Sequence, residues 1–269
     1  MNKQLISVIC TVKNAEQTIS ETIDSVINQT YENWEMIIVD DGSTDKTKYI
    51  LEEYSRLDKR IKPHFSPGPG RGKALNKAIE LSSGYYVANL DADDVFHPQK
   101  LEIQINTFNS DKSLFIVATK SIIIYNNDKA AWKKVKSDHH NFHIIGNEIL
   151  KKNVLNHSST MMIKSKLDGI GRYNQGRQSQ LDYELWLRAH NKSLIIMRLD
   201  IALTAKRIHS NQSFENKKRI KYLFNSSTLQ LKYILLQKKY HLILLLPIRI
   251  TLGLLPFHLR QKIRNQIKI

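Results

Sequence analysis

Two buried, strand-like runs in the first part of the chain each end in a cluster of aspartates, and this repeated pattern is the strongest constraint on the fold. The run at residues 34–39 leads into Asp40 and Asp41, and the run at residues 85–90 leads into an acidic segment at residues 91–94. Near-continuous apolar strands are typical of a parallel sheet that is covered on both faces. Ligands of such sheets bind beyond the carboxyl ends of the strands, so both clusters are expected to face one crevice.

The chemistry of that crevice follows from its charge. Two groups of carboxylates in one crevice repel each other unless a cation or a ligand rich in hydrogen-bond donors lies between them. Magnesium sites commonly combine one or two carboxylates with the phosphates of a substrate. The paired clusters therefore favour a site for a divalent metal and a diphosphate.

Strand and helix patterns alternate along the chain, which indicates an α/β fold with a mostly parallel sheet flanked by helices. Strands are predicted at residues 5–12, 34–39, 61–65, 85–90, 114–118, 157–163 and 194–199. Helices are predicted around residues 19–27 and at 46–57, 74–82, 98–108 and 181–190, with Gly84 expected to end the helix before it. Residues 120–156 have no clear pattern. We predict a catalytic domain over residues 1–215, divided into a nucleotide-binding half at 1–110 and an acceptor-binding half at 111–215.

The charge of the chain is unevenly distributed. The net charge is +16, yet residues 1–110 carry 12 Lys and Arg against 16 Asp and Glu, whereas residues 216–269 carry 12 against none. A basic C-terminal tail suggests an anionic partner such as phospholipid, nucleic acid or an anionic glycan. The single cysteine, Cys10, excludes a disulfide within the chain. Together with the lack of a signal-peptide pattern, this favours a cytoplasmic protein.

The tail at residues 216–269 is predicted to be helical and amphipathic. Residues 217–239 place apolar side chains on one side of a helix, and the apolar stretch at residues 242–257 is interrupted by Pro247, Arg249 and Pro256. That stretch is shorter than the roughly 20 residues of a spanning helix, so we expect it to lie on an anionic membrane surface. The alternative is a helix packed on the catalytic domain or in a dimer interface.

Three ordered segments are typical of one enzyme family, namely residues 7–14, 39–45 and 90–94, and the segments at 157–160, 181–188 and 207–209 extend the set. Over about residues 5–215 the chain resembles glycosyltransferase family 2, whose members are inverting enzymes with the Rossmann-like GT-A fold. The resemblance implies a hexosyl- or hexosaminyltransferase that uses a nucleotide sugar, with UDP favoured, and a glycan or lipid-linked acceptor. It also suggests polysaccharide biosynthesis at the inner face of the cell membrane.

The resemblance assigns roles to residues around the acidic clusters. The DxD-type motif would place Asp91 and Asp93 on Mg²⁺ or Mn²⁺, with His209 as a further metal or phosphate contact. The residues expected to bind the nucleotide and its phosphates are Thr11, Asp40, Asp41, Arg71, Lys73, Asn76 and Asp91. Taken alone, the Asp-Asp-Gly-Ser segment favours a β-turn, and the second acidic cluster at Asp91 and Asp93 is what favours the binding role instead. The two cations are equally typical of a solvated loop.

Asp182 is the predicted general base, because an inverting displacement needs one carboxylate beside the attacking hydroxyl. Leu181 departs from the Glu-Asp pair typical of the family, and a helix cap is the alternative role for Asp182. Glu184 is a second candidate that we expect to be exposed. His157, Ser158 and Ser159 are candidates for the acceptor pocket, and Asp94 for a supporting group or helix cap.

Other functions were weighed against this one. A dehydrogenase needs a Gly-rich turn after its first strand, and residues 11–15 contain no glycine. The charge of +16 permits a nucleic-acid-binding protein, or another nucleotide-binding α/β protein without transferase activity. The acidic N-terminal half argues against nucleic acid as a partner, and the sequence does not predict an oligomeric state.

Overall fold

A computed structural model describes residues 3–135, 140–208, 219–255 and 259. Its strands are β1 (Ile6–Val12), β2 (Trp34–Asp41), β3 (Ile61–Ser66), β4 (Tyr86–Asn89), β5 (Val95–Phe96), β6 (Leu114–Tyr125), β7 (Phe142–Ile144), β8 (Met161–Ile163) and β9 (Ile195–Ile208). Its α-helices are α1 (Ile19–Ile27), α2 (Thr47–Leu57), α3 (Arg71–Leu81), α4 (Lys100–Ser110), α5 (Lys164–Gly169), α6 (Leu181–Asn191), α7 (Arg219–Leu236) and α8 (Leu245–Leu254). Short 3-10 helices occupy Asn147–Leu150, His157–Ser159 and Tyr240–Leu244.

The strands of the described residues form one sheet in the order β3-β2-β1-β4-β8-β6-β9-β5, and β7 pairs with β9. Strands β1 to β4 run parallel to one another, as do β6 and β9. In contrast, β8 is antiparallel to both of its neighbours, and β5 and β7 are antiparallel to β9. The predicted parallel sheet is therefore correct for the first half, but the sheet as a whole is mixed. Apolar runs do not reveal strand direction, which depends on the connections.

Alternate residues of the central strands enter different hydrophobic clusters, which shows that both faces of the sheet are covered. Ile9 and Ile37 lie in a cluster with α3, α6 and α7, whereas Val8, Cys10 and Ile38 lie in a cluster with α1, α2 and α4. Successive side chains of a strand point to opposite faces, so a strand buried on both faces is expected to be mostly apolar. This accounts for the near-continuous apolar runs in the sequence, and two polar side chains within β1 and β2, Ser7 and Glu35, bond to each other at 2.6 Å.

Several element boundaries differ from those predicted. The segment 157–163 was expected to be a strand, but a 3-10 helix precedes the short β8. Strands β6 and β9 extend far beyond residues 118 and 199, because the two strands remain paired in parallel, with register shifts, as far as Tyr125 and Ile208. Helix α3 begins at Arg71 rather than Ala74, and this extension brings the Arg71 side chain into the site described below.

The C-terminal helix α7 packs against α6 and the 3-10 helix Asn147–Leu150. Leu229, Tyr233 and Ile234 join the cluster that contains α3 and α6. The single apolar face predicted for this helix is wrong, because Leu223 and Ile234 are buried while Ile220 and Phe224 are 73% and 65% exposed. Within the described ranges, no helix combines the length and apolar character needed to cross a membrane.

Gly84 has a packing role rather than the predicted role of ending α3, whose C-cap is Ser82. A Cβ at Gly84 would lie 2.6 Å from the backbone nitrogen of Ser7 and 2.9 Å from the carbonyl oxygen of Leu5. Backbone atoms of the adjoining β1 cannot move aside without disturbing the sheet. Close approach of two backbones therefore requires glycine here.

We expect Gly84→Ala to lower the free energy of unfolding by about 1–3 kcal/mol, the usual cost of overpacking. Gly169→Ala is the matched control, since a Cβ there meets no atom within 4 Å. It should change the free energy of unfolding by less than about 0.5 kcal/mol. Urea denaturation of both variants measures the difference, and equal stabilities would contradict the packing argument.

Candidate active site

The carboxyl ends of β1, β2 and β4 meet at one edge of the sheet. Val12 is paired with Asp40 across β1 and β2, and the Leu90 backbone donates a hydrogen bond to the Ile9 carbonyl just beyond β4. The half-buried Thr11 and both acidic clusters therefore lie along the same edge. The crevice inferred from the two acidic runs is formed by this edge.

The Asp40–Ser43 turn is held by its own side chains. The backbone nitrogen and hydroxyl of Ser43 donate to Asp40 Oδ1 over 2.9 and 2.6 Å. Asp41 Oδ1 accepts a hydrogen bond from the Gly70 backbone nitrogen at 2.9 Å, which fixes the loop before α3 to this turn. The turn role weighed for these aspartates is thus present, and one Oδ of each carboxylate takes part in it.

Asp91 is the centre of a polar network. Its Oδ1 accepts hydrogen bonds from Arg71 Nη2 at 2.5 Å and from His157 Nδ1 at 2.8 Å. His157 Nε2 lies 2.9 Å from the hydroxyl of Tyr173, and that hydroxyl donates to Asn89 Oδ1 at 3.2 Å. His157 therefore connects the acidic edge of the sheet to the buried Tyr173.

The network keeps Asp91 ionised. Burial by itself raises the pKa of Asp91, but Arg71 and His157 oppose this and hold the pKa well below its usual range. Asp91 in turn is the main cause of a raised pKa at Arg71. The ion pair is half open to solvent, with 52% of the Arg71 side chain exposed, so a competing phosphate can reach the guanidinium.

Asp94 points into the protein and supports the acidic loop. It accepts hydrogen bonds from the Ser158 hydroxyl at 2.5 Å and from the Arg207 backbone nitrogen at 3.0 Å. Burial, together with the charges of Asp91 and Asp93, raises the pKa of Asp94 well above its usual value. Asp94 does not cap α4, whose N-cap is Gln99, so the supporting role is the one present in the structure.

Arg207 fixes the main chain of the same loop. Its side chain is 2% exposed, its Nε donates to the Asp93 carbonyl at 3.0 Å, and its Nη2 pairs with Glu21 at 2.6 Å. The sequence interpretation assigned the function of the 207–209 segment to His209, which lies outside the described residues. The buried arginine two positions earlier was missed, although it belongs to the same segment.

The other residues predicted to contact phosphate differ from one another in their surroundings. Lys73 is exposed in the first turn of α3, near the acidic edge. Asn76 is buried, and its amide exchanges hydrogen bonds of 2.8 and 3.0 Å with the main chain of Tyr173. The structure thus gives Asn76 a contact that positions Tyr173.

Asp182 lies in the first turn of α6, close to the start of α3. A Cβ on Gly72 would lie 3.2 Å from Leu181 Cδ2, so the first residues of the two helices are in contact. Asp182 accordingly contributes to the raised pKa of Arg71, together with Asp91 and Asp93. Its Oδ2 accepts a hydrogen bond from Asn153 Nδ2 at 2.9 Å. The helix N-cap is Gln180 in a left-handed conformation, so Asp182 does not cap α6.

Glu184, the second candidate for the general base, is unsuited to that role. It is buried rather than exposed, pairs with Arg188 at 2.7 Å and accepts a hydrogen bond from the Tyr233 hydroxyl at 3.1 Å. These contacts join α6 to α7. The buried carboxylate therefore serves packing of the C-terminal helix, and Asp182 is left as the carboxylate beside the crevice.

His157, Ser158 and Ser159 were candidates for the acceptor pocket, and all three are buried. Ser158 and His157 support the acidic loop as described, and the Ser159 hydroxyl donates to the Asn156 carbonyl at 2.7 Å. Within the described residues, no group of three or more His, Cys, Asp or Glu side chains is arranged to hold a metal.

The matching family profile is described as Glycosyl transferase family 2, and it covers residues 7–170, more than half of the chain. The chain belongs to glycosyltransferase family 2. The enzyme class expected from the ordered motifs is thus confirmed, and the two alternatives without transferase activity are set aside.

Two relatives illustrate the range of the family. MJ1057, an uncharacterized glycosyltransferase of Methanocaldococcus jannaschii, is 29% identical over 235 residues, which are 86% of this chain and 80% of the relative. WfgD of Escherichia coli is named a UDP-Glc:alpha-D-GlcNAc-diphosphoundecaprenol beta-1,3-glucosyltransferase. It is 39% identical over 136 residues, which are 50% of this chain and 52% of WfgD.

Two solved structures share the fold. Staphylococcus aureus TarS 1–349 in complex with UDP has a TM-score of 0.65 at 19% identity, over 86% of this chain and 65% of that one. The mannosyltransferase PcManGT from Pyrobaculum calidifontis, in complex with GDP-Man and Mn²⁺, has a TM-score of 0.58 at 13% identity. That match covers 89% of this chain and 65% of the other. The α/β fold of the GT-A type is therefore confirmed.

Proposed function

We propose that this glycosyltransferase is an inverting, metal-dependent enzyme that transfers a sugar from UDP to a hydroxyl of a lipid-linked or other glycan acceptor. The observation that carries the proposal is the grouping of Asp91, Asp93 and Asp182 around Arg71 at the carboxyl edge of the parallel strands. Asp91 is paired with Arg71 at 2.5 Å, and Asp93 and Asp182 lie close enough to act on the same guanidinium electrostatically. These carboxylates would provide the two functions that the reaction needs, namely a metal–diphosphate site and a base.

The proposed donor site uses the carboxyl ends of β1 and β2 and the start of α3. Thr11, Asp40 and Asp41 would contact the nucleoside through hydrogen bonds to its N–H and hydroxyl groups. Arg71 and Lys73, in the first turn of α3, would meet the diphosphate, where a helix N-terminus also favours an anion. Binding of the diphosphate would draw Arg71 away from Asp91 and leave that carboxylate open to a cation. For Asn76 we propose an indirect role through Tyr173.

The acidic loop fits a divalent metal. Asp91 is held ionised by its neighbours, and Arg207 fixes the main chain at Asp93. We propose that these two carboxylates hold Mg²⁺ or Mn²⁺ together with the donor phosphates, with His209 as a further ligand. When bound, the metal would supply Lewis-acid stabilisation of the leaving diphosphate. The Mn²⁺ in the PcManGT complex supports this assignment.

Asp182 is the proposed base. As the acceptor oxygen bonds to the anomeric carbon, Asp182 takes the hydroxyl proton, and the bond from that carbon to the diphosphate oxygen breaks. Because the oxygen attacks opposite the leaving group, the anomeric configuration inverts. The amide of Asn153 donates to one oxygen of Asp182 and so orients the other oxygen for the acceptor.

The C-terminal region supports a peripheral membrane location. Several large apolar side chains of α7, the 3-10 helix Tyr240–Leu244 and α8 are exposed, among them Phe224, Leu235, Leu236, Leu244, Ile248 and Leu252. Clustered exposed apolar side chains mark interaction surfaces. With a tail that carries 12 cations and no acidic residue, we propose that this surface rests on the anionic inner face of the cell membrane.

A panel of UDP and GDP sugars, each tested with Mn²⁺ and with EDTA, examines the donor and metal proposals. We expect one UDP sugar to bind at least about tenfold more tightly with Mn²⁺, which corresponds to about 1.4 kcal/mol. Calorimetry gives the affinities, and nuclear magnetic resonance of a transferred product gives the anomeric configuration. Binding of GDP sugars alone, equal affinity in EDTA, or a retained configuration would each contradict one part of the proposal.

A further inference from the structure

An apolar groove of about 270 Å³ lies between the 3-10 helix Asn147–Leu150 and α8. Its walls are formed by Leu150 on one side and by the α8 side chains Leu245, Leu246, Ile248 and Leu252 on the other. Ile248 and Leu252 are among the exposed apolar residues of the C-terminal surface. The groove therefore opens onto the surface proposed to rest on the membrane.

The groove also has a cationic rim, formed by Lys151, Lys152 and Arg249. Both lysines are exposed, and Arg249 is held in place by a hydrogen bond of 2.9 Å from its Nη2 to the Ser226 hydroxyl. Within the described ranges none of these three cations forms a salt bridge with a carboxylate. Of the acidic side chains on the adjoining elements, Glu148 pairs with His143 and Glu184 pairs with Arg188, whereas Asp182 accepts the hydrogen bond from Asn153. The rim is thus complementary to an anionic ligand.

The same segment connects the groove to the proposed base. The Ile149 carbonyl accepts a hydrogen bond of 2.7 Å from the Tyr183 hydroxyl, and the Lys151 carbonyl accepts one of 2.6 Å from Gln230 Nε2. Asn153, directly after the two lysines, donates to Asp182. Residues 149–153 are therefore fixed to α6 and α7, and the two lysines directly precede the hydrogen-bond partner of the proposed base.

From this geometry we infer that the groove binds the lipid of a lipid-linked acceptor, with its phosphate or diphosphate on Lys151, Lys152 and Arg249 and its hydrocarbon chain along α8. The sugar attached to that phosphate would then extend past Asn153 towards Asp182. The inference rests on the proposed function, since it assigns the acceptor of that reaction. It explains why an apolar groove and a cationic rim adjoin at this place.

The test measures binding of farnesyl diphosphate to the full chain, in EDTA with saturating UDP so that the donor crevice is occupied. Lys151→Ala/Lys152→Ala should weaken the affinity at least about tenfold, because charge-assisted bonds to phosphate are lost. The matched control is Lys133→Ala/Lys134→Ala, an adjacent pair of exposed lysines outside the groove, which should change the affinity less than about twofold.

Ligand controls separate the two parts of the groove. Farnesol lacks the phosphate and inorganic pyrophosphate lacks the chain, so each should bind at least about tenfold more weakly than farnesyl diphosphate. No binding of farnesyl diphosphate, equal binding of pyrophosphate, or equal losses in both lysine variants would overturn the inference. Full competition by phosphatidylglycerol vesicles would assign the groove to bulk membrane lipid, and a dimer dissociated by Ile248→Glu would assign it to a second copy.

UDP binding and farnesyl diphosphate binding test the proposed donor reaction and the lipid assignment of the groove separately. The double lysine variant should bind UDP with Mn²⁺ as the wild type does, because its changes lie outside the donor crevice. If UDP binds with metal but farnesyl diphosphate does not bind, only the groove assignment fails. If farnesyl diphosphate binding depends on the lysines but no nucleotide sugar binds, the proposed donor reaction fails and the groove stands.

Discussion

Asp182→Asn is expected to reduce sugar transfer by about 10²–10⁴-fold, the usual contribution of a general base, while donor binding stays unchanged. Asparagine has nearly the same shape and retains an oxygen that can accept the hydrogen bond from Asn153. What it loses is the ability to take a proton from the acceptor hydroxyl. The first-order rate of transfer at saturating donor and acceptor, together with UDP affinity by calorimetry, measures the two effects separately.

The control for this substitution is Asp200→Asn. Asp200 is an exposed aspartate of β9 that pairs with Lys120 rather than with a residue of the crevice. It should retain transfer within about twofold, a difference of less than 0.5 kcal/mol in the barrier. If Asp182→Asn transfers sugar as fast as this control, Asp182 is not the base. If both transfer and UDP binding fall together, Asp182 acts in donor binding instead.

The first half of the fold could be predicted from the sequence, because strands that are buried on both faces appear there as near-continuous apolar runs. Strands β1, β2 and β4 are buried at nearly every position and mostly apolar, and an acidic run lies at or just beyond the carboxyl end of β2 and β4. Since the carboxyl ends of parallel strands share an edge, position along the chain was sufficient to group Asp40, Asp41 and Asp91. In this half, the residues at the end of each apolar run are also the residues at the crevice.

The rest of the site depends on contacts between distant parts of the chain. Arg207 reaches the acidic loop from the end of β9, and Tyr173 reaches Asn89 and His157 from the segment before α6. No pattern in the neighbouring sequence identifies either residue, because the role of each depends on contacts with residues far away in the chain. A buried arginine is informative only once its partners are known.

The tail shows a similar limit. Apolar periodicity identified α7 as an amphipathic helix, but its apolar residues are divided between a buried face and an exposed face. Ile234 packs in the cluster that contains α3 and α6, and Leu223 is buried beside Gly253 of α8, whereas Phe224 and Leu235 remain exposed. Glu184 was expected at the surface because glutamate is seldom buried, yet Arg188 and Tyr233 provide the partners that permit its burial. Apolar periodicity predicts which residues of a helix are buried, but it does not predict which element of the protein covers them.

Asp93→Ala should abolish the increase in UDP affinity that Mn²⁺ provides, a loss of about tenfold or more. The reason is electrostatic, since removal of one carboxylate leaves the metal with fewer protein oxygens and less negative charge. The relevant quantity is the ratio of UDP affinities in Mn²⁺ and in EDTA, measured by calorimetry. Affinity in EDTA should stay near the wild-type value, because Thr11, Asp40 and Arg71 are unchanged.

Asp200→Ala again provides the control, with an unchanged affinity ratio because its carboxylate pairs with Lys120 away from the acidic loop. Thermal unfolding of both variants tests whether the loop has kept its structure, which Arg207 and Asp94 should maintain through the Asp93 carbonyl and the Ser158 hydroxyl. A variant that unfolds normally yet keeps the full Mn²⁺ effect would show that Asp93 does not hold the metal. Because Arg207 fixes the main chain at Asp93, loss of this carboxylate should remove a metal ligand without displacing the loop that carries Asp91.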